Sequence, residues 1–358
     1  MMPFYWRMLD IQSSKTHVLN WIGDYMGRVL IIAEAGVNHN GDLGIALKMV
    51  DEAKKFGADI VKFQTSIPEL VMSKYAPKAE YQKQGSDDEE NQIDMANKIV
   101  LKSFDDYRKI KEHCEEVGIE FLSTPFEFTS IAFLEELGTD IWKIPSGEIT
   151  NYPYLKRLAC TRKKVILSTG MSTMDEVRDA INILQEGGTD HITLLHCTTE
   201  YPAPINEVNL NAMCEMGKTF NLPVGYSDHT KGIEVSIAAV ALGATVIEKH
   251  FTLDRNMEGP DHKASLEPSE FAELVKAIRN IEVAMGDGIK VPMASEKNNM
   301  IVARKSIVAK CNIKKGEVFS EDNLTTKRPG NGISPMKWDE IIGQAAKRDF
   351  GEDELIEV

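Results

Sequence analysis

From Met26 onward, short unbroken apolar runs alternate with longer stretches in which apolar residues recur every third or fourth position. The runs predict strands at 29–33 (VLIIA), 59–63 (DIVKF), 120–123 (EFLS), 140–144 (DIWKI), 164–168 (KVILS), 191–195 (HITLL), 222–226 (LPVGY) and 244–249 (ATVIEK). Between them, segments such as LGIALKMVDEAKKFG and TMDEVRDAINILQEGG carry one apolar face and close on glycine, a helix with its C-cap. The strand runs do not alternate with polar residues, as expected of a parallel sheet covered on both faces. Eight β-then-α units predict an α/β fold, a (β/α)8 TIM barrel over 26–286. The alternative is an open doubly wound sheet. The count of eight and the lack of a G-x-G-x-x-G after the first strand weigh against it.

Beyond the last helical pattern the character changes. Gly286-Asp287-Gly288 stops that helix, 287–300 reads as a polar linker, and 301–358 is a compact tail of short β-like pieces broken at KKGE, RPGNG and FGED. A tail this small predicts support from the barrel or from a second subunit. Residues 1–25 lack the compact apolar core and cleavage site of a signal peptide and read as an appendage. The alternative for this segment is an interface helix carrying Trp6 and Trp21.

Charge narrows the partners. Against 41 Lys and Arg stand 55 Asp and Glu, a formal net charge of -14, which argues against a general nucleic-acid binder. An anionic ligand must then be held by a few focused cations. No apolar run reaches the ~18 residues of a membrane span, so no membrane partner is expected. Five scattered cysteines suit neither a disulfide framework nor a zinc cluster and fit a reducing, cytoplasmic location.

The candidate chemistry sits where the strands end. Their carboxyl tips carry Glu34, Asn38 and His39; Lys62 and Gln64; Thr124; Lys143, Ser146 and Glu148; Ser168; His196 and Tyr201; Ser227, Asp228 and His229; and Glu248, Lys249 and His250. In a TIM barrel these ends build the catalytic face. His229 and His250, on adjacent strands, are candidate ligands of a divalent metal, Mn²⁺ before Mg²⁺ or Co²⁺, with Asp228, Glu248 and Asp261 nearby. The alternative is that one of the two is a structural histidine. Lys62 and Lys143, with Thr124, Ser146 and Ser168, form a cup for phosphate and carboxylate. A Schiff-base lysine is the rival use of the same residues. Glu34 is a candidate base or water-orienting carboxylate. Glu148 and Asp261 suit hydrogen bonds from a polyhydroxy substrate, although Glu148 could equally pair with a lysine. Tyr201 could be structural or functional.

The motifs EAGVNHNGDL, VKFQT, LSTPF, KIPSGEITNYPYL, ILSTGMS, LLHCTTEYPAP, GYSDHT, EKHFTLD and GPDHKASLEP together resemble the sialic acid synthase family. The tail, SIVAKCNIKKGEVFSEDNLTTKRPGNGI, resembles its antifreeze-like (SAF) domain, of β-clip type. Within the family the wording is most similar to bacterial N,N'-diacetyllegionaminate synthases. The resemblance implies condensation of phosphoenolpyruvate with the open-chain aldehyde of an N-acetylated hexose. It assigns Lys62, Thr124, Lys143, Ser146 and Ser168 to phosphoenolpyruvate, His229 and His250 to the metal, and Glu34 to catalysis. Gln64, Glu148, Tyr201 and Asp261 go to the sugar, together with Arg328 from a domain-swapped partner, which implies a homodimer. Thr199 stands where N-acetylneuraminate synthases have Asn, which points to an altered sugar such as 2,4-diacetamido-2,4,6-trideoxymannose rather than N-acetylmannosamine.

Overall fold

The computed structural model describes residues 28–77 and 91–358. The predicted appendage, with Trp6 and Trp21, lies outside these residues. The chain divides into two compact units, Met1–Gly286 and Asp287–Val358.

The first unit contains the strands β1 (Leu30–Gly36), β2 (Ile60–Thr65), β3 (Glu120–Pro125), β4 (Ile141–Ile144), β5 (Lys164–Ser168), β6 (Ile192–His196), β7 (Val224–Asp228) and β8 (Val246–His250). They form one eight-stranded sheet in the order β3-β2-β1-β8-β7-β6-β5-β4, parallel at every pairing. First and last strands pair, with Glu34 opposite His250, and the ladder's end strands β3 and β4 lie side by side. The sheet has therefore curled into a TIM-like barrel, and the open doubly wound order is excluded. Several strands run past the predicted apolar runs, to Gly36, Thr65, Pro125 and His250, because the ladder continues through polar tips that hydrophobicity does not mark.

Alternation along each strand sorts side chains between two cores. Leu30, Ile32, Ile60, Leu122, Ile141, Ile166, Leu195 and Val246 fill the barrel interior. Residues of the opposite parity, among them Ile31, Val61, Phe63, Trp142, Leu194 and Ile247, pack outward with the helices. The helices begin where caps allow: Asp42 accepts from the Ile45 amide ahead of Leu43–Lys55, and Thr173 with Glu176 forms a capping box ahead of Met174–Glu186.

Gly225 of β7 shows how tight the interior is. A Cβ there would lie 2.4 Å from the Val246 carbonyl oxygen and 2.7 Å from Leu195 Cδ2. Gly225→Ala is expected to destabilise the fold by about 1–3 kcal/mol through overpacking. The measurement is the thermal unfolding midpoint; an unchanged midpoint would show that β7 and β8 can move apart freely.

The crossover from β2 to β3 holds more than the sequence pattern indicates. A single-turn helix, Pro68–Val71, and a longer one, Gln92–Ile99, precede the helix Phe104–Val117 that packs on the barrel. No helix among the described residues is long and apolar enough to cross a membrane.

The second unit opens with a stretch read as linker that is only partly irregular. A 3-10 turn, Ala294–Glu296, leads into a helix, Lys297–Ala303, and Glu296 accepts from the Met293 amide at 2.7 Å to start the turn. Two strands follow, β9 (Ser306–Ala309) and β10 (Leu324–Lys327), paired antiparallel, and isolated bridges form at Val308–Leu355, Ile313–Phe350 and Val318–Ala345. Ile307, Ile313, Phe319, Leu324, Phe350 and Ile356 give this unit a core of its own.

Candidate active site

At the carboxyl ends of the strands lies a cavity of about 580 Å³. Every barrel residue assigned to phosphoenolpyruvate, sugar, metal or catalysis lines it: Glu34, Lys62, Gln64, Thr124, Lys143, Ser146, Glu148, Ser168, Tyr201, His229, His250 and Asp261. Arg328 belongs to the second unit, where its side chain is exposed and its Nε donates to the Ala303 carbonyl at 3.1 Å.

The inward parity of the barrel core explains this convergence. Continuing each interior register toward the strand's end turns Glu34, Lys62, Thr124, Lys143, Ser168, Ser227 and Glu248 inward, one layer above the aliphatic plug. Lys62 Nζ sits 2.6 Å from Glu34 Oε2 and 3.5 Å from Glu248 Oε2, while Lys143 Nζ lies 3.5 Å from Glu248 Oε1. Lys143 also donates to Ser168 Oγ at 2.8 Å, and Lys62 to Thr124 Oγ1 at 3.4 Å. Both lysines are only 3% exposed, so the cup is desolvated and its field is strong.

Two carboxylates share these cations unequally. Burial raises Glu248, but Lys143, Lys62 and the Ser227 hydroxyl, which donates to Oε1 at 2.8 Å, outweigh it and hold the acid down to about 2. Glu34 is pushed up to about 7, chiefly by burial and against the pull of Lys62, with Glu248 adding to the rise. Burial works against Lys62, yet Glu248 and Glu34 raise it above the usual lysine range, so it stays an ammonium rather than a free amine. Lys143 is pulled down by burial. Gln64 donates to Glu34 Oε1 at 3.2 Å and fixes the orientation of that carboxyl group.

Across the cavity the rings of His229 and His250 lie 5.5 Å apart, and Tyr201 packs 4.2 Å from His229 and edge-on to His250. His229 Nδ1 bonds the Thr198 carbonyl at 2.6 Å, which leaves Nε2 to present its lone pair inward. His250 Nδ1 is buried without a hydrogen-bond partner and lies 4.0 Å from Asp261 Oδ2. Burial lowers His229 to about 4 and His250 well below its usual range, so both imidazoles are neutral, the form that binds metal. Among the described residues no group of three or more His, Cys, Asp or Glu is placed to hold an ion. Two neutral imidazoles facing one cavity are donors a divalent cation could use, with its further positions left to water and substrate. Asp261 is raised to about 6 by burial.

Some strand-tip residues turn away from the cavity. Asp228 and Lys249, grouped with the metal set or the tips in the sequence, fall on the outward parity. Lys249 pairs with Asp228 at 3.0 Å and donates to the Thr230 carbonyl, while Asp228 accepts from Thr230 and Ser236. This fully buried cluster holds the turn that carries His229. His196 likewise points outward and bonds the Val208 carbonyl at 2.7 Å. Asn38 donates to the Phe251 carbonyl and to Ser265 Oγ, and Ser265 in turn donates to the Asp261 carbonyl, so Asn38 ties the loop bearing Asp261 to the end of β1. His39 is buried, with Phe63 against its ring, and is not among the residues lining this cavity. Among the described residues Glu148 forms no ion pair with a lysine; its Oε2 accepts from Asn151 at 2.5 Å.

The most consequential residue underweighted by sequence reading is Glu248, which bridges both lysines. The signal was available, because it stands two positions before His250 and so shares its face. Gly170 is another. Its amide donates to Ser146 Oγ at 2.9 Å, and a Cβ there would press within 2.9 Å of Ser146 Oγ and 2.7 Å of Thr199 Cγ2.

Comparison with known proteins places this geometry. The NeuB family model matches residues 49–290, and a SAF domain model matches 304–357. The N,N'-diacetyllegionaminic acid synthase of Campylobacter jejuni is 56% identical over 333 residues, spanning 92% of this chain and 99% of its own. The enzyme of the same name from Legionella pneumophila is 46% identical, over 87% of this chain and 89% of its own. A solved N-acetylneuraminic acid (sialic acid) synthetase from Leptospira borgpetersenii superposes with a TM-score of 0.66 at 35% identity, covering 76% of this chain and 90% of that one. Matched through most of its barrel and through its tail, and aligned nearly end to end with such relatives, the chain belongs to the NeuB family.

Proposed function

We propose that this protein condenses phosphoenolpyruvate with the open-chain aldehyde of 2,4-diacetamido-2,4,6-trideoxymannose, yielding N,N'-diacetyllegionaminate and phosphate. The observation that carries the reading is the convergence of Lys62 and Lys143 on Glu248, facing two neutral imidazoles across one cavity. That arrangement suits an anionic, phosphorylated partner on one side and a carbonyl on the other. The relatives named for this product supply the choice of sugar.

Lys62, Lys143 and the hydroxyls of Thr124, Ser146 and Ser168 grip the phosphate and carboxylate of phosphoenolpyruvate. A divalent ion, Mn²⁺ before Mg²⁺ or Co²⁺, held by His229 and His250, would polarise the aldehyde carbonyl. Gln64, Glu148, Tyr201 and Asp261 orient the sugar. C3 of the enol then bonds to C1 of the aldehyde, and positive charge develops at C2. Glu34 lies beside the lysine cup, where its carboxylate stabilises that charge and directs the water that adds to C2. The tetrahedral adduct loses phosphate by C–O cleavage, with the lysines taking up the departing charge. Holding both reactants in one desolvated cavity supplies much of the rate through orientation.

The same reading carries a homodimer in which Arg328 of the partner subunit closes the barrel mouth, and a cytoplasmic setting, in keeping with five free thiols. Phosphate release from phosphoenolpyruvate, measured with the diacetamido sugar, N-acetylmannosamine and its 6-phosphate, tests the reaction. Release is expected only with an acceptor present and is strongest with the first. Exhaustive chelation is expected to abolish it and Mn²⁺ to restore it, and His250→Ala to weaken Mn²⁺ binding by calorimetry. Full activity after chelation would reject the metal, and release without any acceptor would reject the condensation.

A further inference from the structure

The cavity has two unlike walls. The strand tips furnish charge, whereas the β2–β3 crossover contributes the apolar Val71, Met72, Met95, Ala96, Ile99 and Val100, with Ser66 and Gln92 as its only polar members among the described residues. On the helix Gln92–Ile99 the cavity-lining positions are 92, 95, 96 and 99, one helical face. An amphipathic helix ordinarily turns its apolar stripe to the core; this one borders a chamber built for polar reactants. Asn97, off that stripe, donates to Glu69 Oε1 at 2.7 Å and ties the helix to the turn bearing Val71, so the two parts of the wall are held together. Among the described residues lining the cavity, Lys62 and Lys143 are the only lysines or arginines, and both stand on the strand side.

We propose that this apolar wall selects the acceptor at C6, receiving a methyl group and rejecting a hydroxyl or a phosphate. The inference rests on the condensation reading above. With the aldehyde carbon held between the imidazoles and the lysine cup, the far end of the sugar is the part that reaches away from the strand tips. A C6 methyl there buries apolar surface against Met95 and Ile99. A hydroxyl set against Met95 and Ile99 gives up water without gaining a hydrogen bond from either side chain, and a phosphate there meets apolar surface, with no lysine or arginine among the described residues of that wall.

Two acceptors that differ only at C6 test this, 2,4-diacetamido-2,4,6-trideoxymannose and 2,4-diacetamido-2,4-dideoxymannose, together with the 6-phosphate of the latter. The readout is kcat/KM for phosphate release. The native enzyme is expected to prefer the 6-deoxy sugar by ~10- to 100-fold over the 6-hydroxy sugar, the range an apolar pocket can reach, and to leave the 6-phosphate unreacted. Met95→Gln and Ile99→Asn, which place a hydrogen-bonding group on the wall, are expected to bring the ratio close to one without changing the KM for phosphoenolpyruvate. Ile99→Val should preserve the preference. A native ratio near one, or a ratio that neither polar variant moves, overturns the proposal and leaves the condensation reading standing. No release with any of the three sugars overturns both.

Discussion

Glu34→Gln is expected to lower turnover by ~10²–10⁴-fold, the usual contribution of a positioned acid or base, while phosphoenolpyruvate still binds. The substitution is nearly isosteric, and a glutamine carbonyl can go on accepting from Gln64 as Glu34 Oε1 does at 3.2 Å. The lysine cup keeps Glu248, Thr124 and Ser168 as partners, so the phosphate site survives. What disappears is negative charge beside Lys62, 2.6 Å from its ammonium group and only 2% exposed, where water cannot substitute for it. Steady-state phosphate release and calorimetric titration with phosphoenolpyruvate read the two effects separately. Near-normal turnover would remove Glu34 from the chemistry, and lost binding would make it part of the anion cup instead.

Lys62→Met should damage both binding and folding. Removing this cation leaves Glu248 with one lysine instead of two and leaves Glu34 with none at contact distance. Stranding one partner of a buried ion pair typically destabilises by about 3–5 kcal/mol. Losing a desolvated contact to a charged ligand should weaken phosphoenolpyruvate binding by about 2–5 kcal/mol, roughly 30-fold or more. The double variant Lys62→Met with Glu248→Gln separates the effects: it removes the uncompensated acid, so the unfolding midpoint should recover in part while binding stays weak. Recovery of binding in the double variant would mean that Lys62 serves only to neutralise Glu248. A folded single variant with native affinity would dismiss the cup altogether.

How the site could be read from the chain is clearest on two strands. In EKHFT the sequence marks three polar residues at a strand end, and elementary alternation says that Glu248 and His250 face one way and Lys249 the other. In YSDHT the same rule separates Ser227 and His229 from Asp228. Taking whole tips as functional mixes the two faces and sets Asp228, which faces outward, beside the histidines. It also sets Glu248 beside the metal pair, whereas the fold makes it the carboxylate both lysines share. Asn38 and His39 show another limit, since their polar character serves loop-to-loop bonding and core packing rather than ligand contact.

Apolar runs at regular intervals, closed by glycine and capped by Asp or Thr, were enough to specify an eight-fold β-then-α barrel. They were also enough to put its chemistry at the strands' carboxyl ends, because burial and chain direction are local consequences of pattern. The sharing of charge was decided only in three dimensions. Glu34 sits near 7 chiefly because it is buried with one lysine at contact distance, whereas Glu248, also buried, is held near 2 by both lysines and the Ser227 hydroxyl, and strands far apart in the chain bring those partners together. The wall built by Gln92–Ile99 was likewise invisible beforehand. Its apolar stripe reads as ordinary core, and only the tertiary arrangement sets it against the cavity rather than the protein interior.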